Sequence, residues 1–268
     1  MADHDLGKAV SETIKLYQLG GKDSKGGGRP IANIDKRSID DRLIVFHRPR
    51  SIESEYFRFL KSRIEQEFGP SSSDKKGRVV MITGPNLGAG KSTLSINVAL
   101  AFARSYGDET LFMDVDSRRG TSRKYLGIVE KNLKGFTDVL SMKIDASQVL
   151  VNTGLLNMVY FPPGEFSETF LDNLNGEELG ILLNSLRDRF RYIIIDAPPA
   201  FPMPEPAIIA QQCDGVFIVL KAGRDGHADL KQAVDALEGT NIMGIILNAV
   251  KKTPGQKYGA YGYYGKGA

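Results

Sequence analysis

The sequence is poor in cysteine, since Cys213 is the only one among its 268 residues. A single cysteine excludes a disulfide within the chain, and it excludes an iron-sulfur or zinc site built from several cysteines of one subunit. Such a composition fits a reducing compartment, so we expect the protein in the cytoplasm.

Long apolar runs are also missing. No stretch approaches the roughly 20 residues that a membrane-spanning helix requires, and MADHDLGKAV lacks the basic start and the apolar segment of a signal peptide. The formal net charge of +3 is too small to indicate a nucleic-acid-binding protein. We therefore expect no nucleic-acid partner, and any work at a membrane would require another protein to hold this one there.

From residue 78 onward, short apolar runs alternate with helical segments. Runs such as VVMIT, TLFMDVD, YIIID and GVFIVL lack polar alternation, which indicates strands that are covered on both faces. Their alternation with helices predicts an α/β, doubly wound, mainly parallel sheet with right-handed crossovers. Ligands bind beyond the carboxyl ends of the strands in such sheets, so the loops after MIT, LFMDVD and IIID form the predicted site.

Four segments are predicted along the chain. Apolar residues at helical spacing predict an amphipathic helix over residues 1–19, and glycines and charges predict a flexible linker over 20–41. That helix is either detached from the domain or packed on its surface. The main domain is expected over 42–250, and a disordered tail rich in glycine and tyrosine over 251–268.

Two elements are predicted before the first core strand. RLIVFHRP is a candidate short strand, and SIESEYFRFLKSRIEQEF is predicted as a helix with Ser51 at its N-cap. The helix is expected to carry one apolar stripe, formed by Ile52, Tyr56, Phe59, Leu60 and Ile64.

The loop TGPNLGAGKST has the composition of a phosphate-binding loop, although Pro85 occupies the usual position of the first glycine. A glycine-rich turn that opens into a helix presents backbone N–H groups and the positive end of the helix dipole to phosphates. Lys91 would reach the β- and γ-phosphates of ATP or GTP, and Ser92 would ligate Mg2+. The predicted nucleotide-binding residues are Gly88, Ala89, Gly90, Lys91, Ser92 and Thr93.

Three aspartates follow predicted strands: Asp114 and Asp116 in LFMDVDSRR, and Asp196 in YIIIDAPPA. Carboxylates beside a triphosphate repel it unless Mg2+ lies between them, which makes Ser92, Asp114 and Asp196 the predicted metal ligands. Of Asp114 and Asp116, one would hold a metal-bound water and the other would accept a proton. The alternative for Asp196 is a residue that caps the Pro-Pro turn.

Together these motifs resemble one family, the bacterial tyrosine kinases of capsule and exopolysaccharide synthesis, from about residue 43 to the C-terminal end. The likeness rests on GAGKST, LFMDVDSRR, IIIDAPP, the helix ESEYFRFLK and the tyrosine cluster YGAYGYYGKGA. Taken singly, the first three motifs also occur in division and partitioning ATPases, but their combination with a terminal tyrosine cluster is typical of a smaller group of proteins. Within the family, the chain resembles the autokinases that accompany exosortase-type operons.

The resemblance implies a P-loop NTPase fold of the deviant-Walker type found in division and partitioning ATPases, with ATP and Mg2+ as cofactors. It implies catalytic roles for Lys91, Asp114, Asp116 and Asp196. The acceptors would be the tail tyrosines, phosphorylated in trans by another copy of the chain: Tyr258, Tyr261, Tyr263 and Tyr264. An unstructured terminus without a role is the alternative for this tail.

The resemblance also implies partners. Glu55, Arg58 and Lys61 match the family's helix that packs subunits together, with Lys61 in place of the final arginine, although each is equally consistent with a solvated charge. A separate transmembrane chain-length-regulator protein would hold the kinase at the inner face of the membrane and activate it. Autophosphorylation would then regulate polymerisation and export of the polysaccharide.

Two other functions fit parts of the sequence. A positioning ATPase of the division or partitioning type shares the nucleotide motifs, but Asn86 stands where such proteins usually carry an additional lysine. A non-catalytic scaffold that binds nucleotide and regulates polysaccharide export is the second alternative. Loss of phosphotyrosine on replacing Lys91 would separate a kinase from a scaffold.

Overall fold

The computed structural model describes residues 32–69, 76–104, 109–142, 144–168, 170 and 174–251. The predicted N-terminal helix, most of the predicted linker and the tail tyrosines lie outside the described residues. No helix in the described ranges combines the length and the apolar character needed to cross a bilayer.

A seven-stranded sheet organises the described chain, with the strand order β3-β4-β2-β5-β1-β6-β7. All neighbouring strands are parallel except β3, which runs antiparallel to β4. This arrangement confirms the predicted α/β, mainly parallel architecture. The strands are β1 (Arg78–Thr83), β2 (Thr110–Asp114), β3 (Val151–Asn152), β4 (Met158–Phe161), β5 (Tyr192–Asp196), β6 (Gly215–Lys221) and β7 (Ile242–Asn248).

Helices cover both faces of the sheet, and one hydrophobic cluster lies on each side. Two short 3-10 turns, Lys36–Ser38 and Ala146–Gln148, accompany them. The helices are α1 (Ile44–His47), α2 (Ile52–Phe68), α3 (Lys91–Ala103), α4 (Ser122–Tyr125), α5 (Phe136–Met142), α6 (Gly176–Arg187), α7 (Glu205–Ala210) and α8 (His227–Ala236).

The central strands β2 and β5 are buried along their whole length, as their unbroken apolar runs predict. Their register pairs Asp114 with Asp196, and Ile82 of β1 with Asp196. Because parallel strands end at the same edge of a sheet, this register brings the two aspartates and the loop after β1 together.

Helix α2 begins after Ser51 as predicted, since the Ser51 hydroxyl accepts a hydrogen bond from the Ser54 N–H at 3.2 Å. Only part of the predicted apolar stripe is buried. Ile64 is buried and Leu60 packs against the core, whereas Ile52, Tyr56 and Phe59 are 62%, 47% and 65% exposed. The helix therefore packs inward through a narrower face than the stripe.

The segment RLIVFHRP contains helix α1 and forms no strand. Its backbone N–H at Val45 donates to the Asn97 side chain of α3 at 3.0 Å, and both residues are buried. The segment packs against α3 and, among the described residues, pairs with no strand of the sheet.

Residues 32–41, which the sequence assigns to a flexible linker, pack on the domain. The Ala32 N–H donates to the Asn152 carbonyl at 3.0 Å, Ile34 forms a bridge with Ile128, and Ile39 is buried. The folded domain therefore begins at or before Ala32, ahead of the predicted boundary at residue 42.

Replacing Asn97 with alanine should detach this N-terminal part of the domain from α3. The Asn97 amide nitrogen donates to the carbonyls of Arg42 and Thr93 at 2.9 and 2.8 Å, while its oxygen accepts from Val45. Each buried polar group left unpaired costs about 1–3 kcal/mol, so the free energy of unfolding should fall by roughly 3 kcal/mol. Urea denaturation measures it.

The matched control is Asn184→Ala, which removes the same side chain from an exposed position on α6. Its stability should stay within about 0.5 kcal/mol of the natural protein. Equal losses in the two variants would contradict the assigned role of Asn97.

Candidate active site

The phosphate-binding loop joins β1 to α3, and its glycines have a steric basis. Gly88 and Gly90 have φ angles of 72° and 94°, which favour glycine. A Cβ at Gly90 would lie 2.1 Å from the Asn248 amide nitrogen, and one at Gly84 would lie 2.3 Å from the Val219 carbonyl oxygen. The backbone therefore adopts a tight turn whose N–H groups precede the start of α3, as the sequence predicts.

Lys91 is the first residue of α3, and its side chain folds back over the loop. Its Nζ donates to the Asn86 carbonyl at 3.0 Å, and the side chain is buried. Burial lowers the pKa of Lys91, while the charges of Asp196 and Asp116 oppose that shift. The ammonium group thus lies between the phosphate-binding loop and the carboxylates.

Asp114 and Asp196 end adjacent strands and are both buried. The Ser95 hydroxyl donates to Asp196 Oδ1 at 3.1 Å, and the Asp116 N–H donates to Asp114 Oδ1 at 2.9 Å. Burial raises the pKa of Asp196 to about 7. Burial also raises the pKa of Asp114 well above its usual value, and the neighbouring Asp196 charge adds to that shift.

Asp116 lies two residues beyond Asp114, in the loop that follows β2, and is also buried. Burial raises the pKa of Asp116, whereas the positive charges of Lys91 and Arg119 lower it. All four predicted catalytic residues therefore lie at one edge of the sheet, around the phosphate-binding loop.

The donor set fits a magnesium ion carried by a nucleotide. Mg2+ in nucleotide sites is usually held by one or two carboxylates together with phosphate oxygens and water. Asp114 and Asp196 supply adjacent carboxylates, and the Ser92 hydroxyl hydrogen-bonds to Asp196. Within the described ranges, no group of three or more His, Cys, Asp or Glu side chains forms a metal site by itself.

The loop is held from outside by residues that sequence reasoning did not identify. The Asn86 amide donates to Asp225 at 3.1 Å and to Asp229 at 3.0 Å, and Arg224 donates to the Leu87 carbonyl at 2.7 Å. On the other side, the Asn248 amide donates to the Ala89 carbonyl at 2.8 Å. No local sequence signal connects these positions, which lie more than 130 residues from the loop.

Three further polar residues at the site were also missed. Ser95 lies one helical turn after Lys91 on α3, so its i, i+4 spacing offered a signal. Ser122 donates to Asp114 and lies 2.8 Å from the Tyr160 hydroxyl. Nothing in the apolar run LNMVYF distinguishes Tyr160 from an ordinary core residue.

Arg118, in the loop after β2, is paired within the chain. It donates to Glu205 of α7 at 2.8 Å and lies over the ring of Phe166. The pair ties the loop after β2 to α7. In the same loop Gly120 has a φ of 49°, in the left-handed region that favours glycine.

The predicted interface residues lie along α2. Glu55 and Arg58 form an exposed ion pair at 2.6 Å, and Arg58 also donates to the Pro49 carbonyl. Lys61 is more buried, lies 3.5 Å from Glu65 and stacks over the ring of Phe102. Contact with another copy through these residues stays a prediction.

The tail leaves the domain beside the phosphate-binding loop. The last strand, β7, ends at Asn248, whose side chain contacts that loop, and the described chain ends at Lys251. The predicted acceptors Tyr258, Tyr261, Tyr263 and Tyr264 lie outside the described residues, so their role stays a prediction.

Comparisons with known proteins agree with this geometry. The sequence pattern of the AAA domain family matches residues 77–242. The chain is 32% identical over 217 residues to the tyrosine-protein kinase CpsD of Streptococcus agalactiae, covering 79% of this chain and 90% of that protein. Among solved structures, the chimerical protein CapA2B2 is 25% identical with a TM-score of 0.70, covering 83% of this chain and 95% of that one.

A second solved structure supports the fold alone. The kinase domain of the Escherichia coli tyrosine kinase ETK is 23% identical, with a TM-score of 0.72, and the match covers 91% of this chain and 89% of that one. The P-loop NTPase fold expected from the motifs is therefore confirmed.

Asp196 should make the nucleotide-free protein less stable at alkaline pH. Its pKa rises from an ordinary value near 4 to about 7 on folding, so the folded state keeps a proton that the unfolded chain loses across this range. Stability from this group is complete below pH 4 and is lost as pH rises through 7. Asp196→Asn should therefore increase stability at pH 8 by a few kcal/mol, since one pKa unit corresponds to about 1.4 kcal/mol.

Denaturation in EDTA at pH 5 and pH 8 measures the difference between the natural protein and Asp196→Asn. The exposed Asp188, replaced by asparagine, is the control, and its profile should follow that of the natural protein. A gap between Asp196→Asn and the natural protein that stays constant with pH would contradict the assignment.

Proposed function

The chain belongs to the family of bacterial tyrosine-protein kinases, and from this premise we propose that it autophosphorylates its own C-terminal tyrosines in trans. The proposed acceptors are Tyr258, Tyr261, Tyr263 and Tyr264. The observation that carries this proposal is the convergence of Lys91 and the three aspartates at the sheet edge from which the tail departs.

In the proposed reaction, the phenol oxygen of a tail tyrosine attacks the γ-phosphorus of ATP. A new P–O bond forms to tyrosine, the bond to the β-phosphate oxygen breaks, and ADP leaves. The phenol proton passes to a carboxylate, for which Asp116 is our candidate because it lies outside the strand-end pair. Burial raises the pKa of Asp116, which suits a proton acceptor near neutral pH.

Positioning and charge stabilisation supply most of the catalysis in phosphoryl transfer. The loop N–H groups and Lys91 would bind the phosphates, and Ser92, Asp114 and Asp196 would hold the metal. When bound, Mg2+ neutralises charge that develops on the phosphate oxygens. Burial of the carboxylates strengthens these interactions by excluding water.

Charge also suits the tail as a substrate. No Asp or Glu follows Glu238, whereas Lys251, Lys252, Lys257 and Lys266 do, so the end of the chain is basic. A basic, glycine-rich segment is attracted to a carboxylate-lined site and has the freedom to enter it. Each phosphate adds about −1.5 to −2 charges, so accumulated phosphates would repel the tail and disperse an assembly that depends on its docking.

A positioning ATPase is the weaker alternative. Its additional lysine would occupy the place of Asn86, and here the Asn86 amide is held by two carboxylates of the same chain. The Asn86 side chain is therefore bound within its own subunit and, unlike lysine, carries no charge for a second subunit's nucleotide.

The proposed setting is polysaccharide export. The kinase would work as a homo-oligomer, through Glu55, Arg58 and Lys61, at the inner face of the membrane. A separate transmembrane chain-length regulator would recruit and activate it. Support for this setting comes from the family.

Replacing Lys91 with methionine should abolish phosphotyrosine while keeping the fold. Loss of one charge that contacts the transferred phosphate typically costs on the order of 100- to 1,000-fold in rate. Incubation with ATP and Mg2+ followed by mass spectrometry measures the modified tyrosines. The control, Lys231→Met, removes an exposed lysine of α8 and should keep full activity.

A mixture tests transfer between copies. Lys91→Met with an intact tail is combined with an active chain in which all four tail tyrosines are phenylalanine, and the two are distinguished by mass. Phosphate should appear on the Lys91→Met chain. An unmodified tail in the natural protein, even with an activating partner, would refute autophosphorylation, and an unmodified Lys91→Met chain in the mixture would refute transfer in trans.

Deleting residues 1–31 should weaken recruitment to membranes that contain the partner, while ATP binding stays intact. The deletion ends at residue 31 because a deletion extending to residue 41 would remove packed residues such as Ile39. Co-sedimentation with partner-containing vesicles and calorimetry with an ATP analogue measure the two properties. Membrane association at the level of the full chain would remove the N-terminal segment as the contact.

A further inference from the structure

A chain of three buried polar groups runs from the candidate active site into the core. The Ser122 hydroxyl donates to Asp114 Oδ2, and it lies 2.8 Å from the hydroxyl of Tyr160. Each of the three side chains is at most 1% exposed. The groups come from three separate elements: the end of β2, the start of α4 and the interior of β4.

The direction of donation in this chain follows from the valence of the groups. A carboxylate that holds a metal is ionised and only accepts, so with a metal bound the single Ser122 proton is directed to Asp114. The Ser122 oxygen then accepts from Tyr160, whose hydroxyl carries the remaining proton. Hydrogen bonds in series toward a charge polarise one another, which strengthens the bond that reaches Asp114.

Both oxygens of Asp114 are thereby fixed. The Asp116 N–H donates to Oδ1 at 2.9 Å, and Ser122 donates to Oδ2. A carboxylate held at both oxygens cannot rotate about its terminal torsion without breaking a buried hydrogen bond. Its remaining lone pairs are consequently held in one orientation beside Asp196, its partner on the adjacent strand.

We propose that Ser122 and Tyr160 are positioning residues, which hold the Asp114 carboxylate in the orientation that receives the metal of the ATP complex. This inference rests on the proposed function, because it requires Asp114 to contact that metal. It adds residues that lie outside the phosphate-binding loop and the aspartate motifs. Neither residue touches ATP or the acceptor, since both act through Asp114.

Packing alone does not account for the two hydroxyls. The Tyr160 ring is already stacked on Phe112, with ring centroids 5.8 Å apart and planes inclined by 14°. A phenylalanine would preserve that contact and would avoid burying a hydroxyl, which carries a desolvation cost. The hydroxyl gains its function through Ser122, the partner that the structure shows for it.

Metal binding without turnover tests this role. The full chain is saturated with a non-hydrolysable ATP analogue and titrated with Mn2+, and electron paramagnetic resonance measures the free ion. Loss of a hydrogen-bond partner to a metal ligand typically costs about 10- to 100-fold in affinity, which is the increase in Mn2+ Kd expected for Ser122→Ala. Tyr160→Phe removes one neutral hydrogen bond, so we expect about a 2- to 10-fold increase.

Two variants serve as controls. Ser122→Thr keeps the hydroxyl and should restore Mn2+ binding to within about threefold of the natural protein. Tyr192→Phe removes a hydroxyl from the start of β5, the end of that strand opposite Asp196, and should leave the Mn2+ Kd unchanged. In the kinase assay, Ser122→Ala and Tyr160→Phe should raise the KM for the metal–ATP complex in proportion to the rise in the Mn2+ Kd, since both constants report the same metal contact.

Thermal unfolding of every variant separates positioning from general destabilisation. If Ser122→Ala and Tyr160→Phe lose stability but bind Mn2+ as tightly as Tyr192→Phe does, the positioning role is refuted while the kinase proposal stands. If the natural protein with the ATP analogue binds no Mn2+, both proposals fail. Weakened Mn2+ binding in the two variants with restoration by threonine supports the inference.

Discussion

The burial of two carboxylates side by side, at the ends of adjacent parallel strands, is the constraint on which the site depends. Asp114 and Asp196 are paired in register and shielded from water, so their charges repel each other and both lose hydration. In the nucleotide-free protein, the charge of Lys91 offsets part of this cost and a proton retained on Asp196 offsets more. A metal ion with a polyphosphate would relieve it without that proton, which supports the proposed magnesium nucleotide at this edge of the sheet.

The surrounding structure keeps that edge rigid. Asn86 and Ala89 of the phosphate-binding loop are held by Asp225, Asp229 and Asn248, which come from the opposite end of the chain. On the other side, the Arg118–Glu205 pair fixes the loop after β2. A phosphoryl-transfer site gains most of its rate from positioning, so these contacts matter for function although none of them touches the reacting atoms.

The sequence predicted the parts of the fold that local patterns determine. Unbroken apolar runs located the central strands, and GAGKST and the two aspartate motifs located the residues that converge at one edge of the sheet. The sequence did not predict the features that depend on contacts between distant segments. The segment around Val45 was predicted as a strand but is a helix that packs against Asn97. The apolar side of α2 is buried only where it faces α3, and the rest is exposed. Ser122 and Tyr160 were missed because a polar contact between distant elements leaves no local pattern.

Transfer between copies does not follow from the length of the tail. Four strand positions separate β2 from β7, which is about 19 Å at the usual spacing of 4.8 Å. Tyr258 lies seven residues after Lys251, and seven extended residues span up to about 24 Å. This length of chain is enough for Tyr258 to reach the active site of its own subunit.

A preference for another subunit's site must therefore come from assembly, which raises the effective concentration of a neighbour's tail above that of the chain's own tail. Reaching the site of its own subunit would require a nearly extended chain up to Tyr258, with a large loss of conformational entropy. The later tyrosines have more chain available for the same distance. In the proposed reaction between copies, the geometry of the oligomer would then determine which tyrosine is modified first.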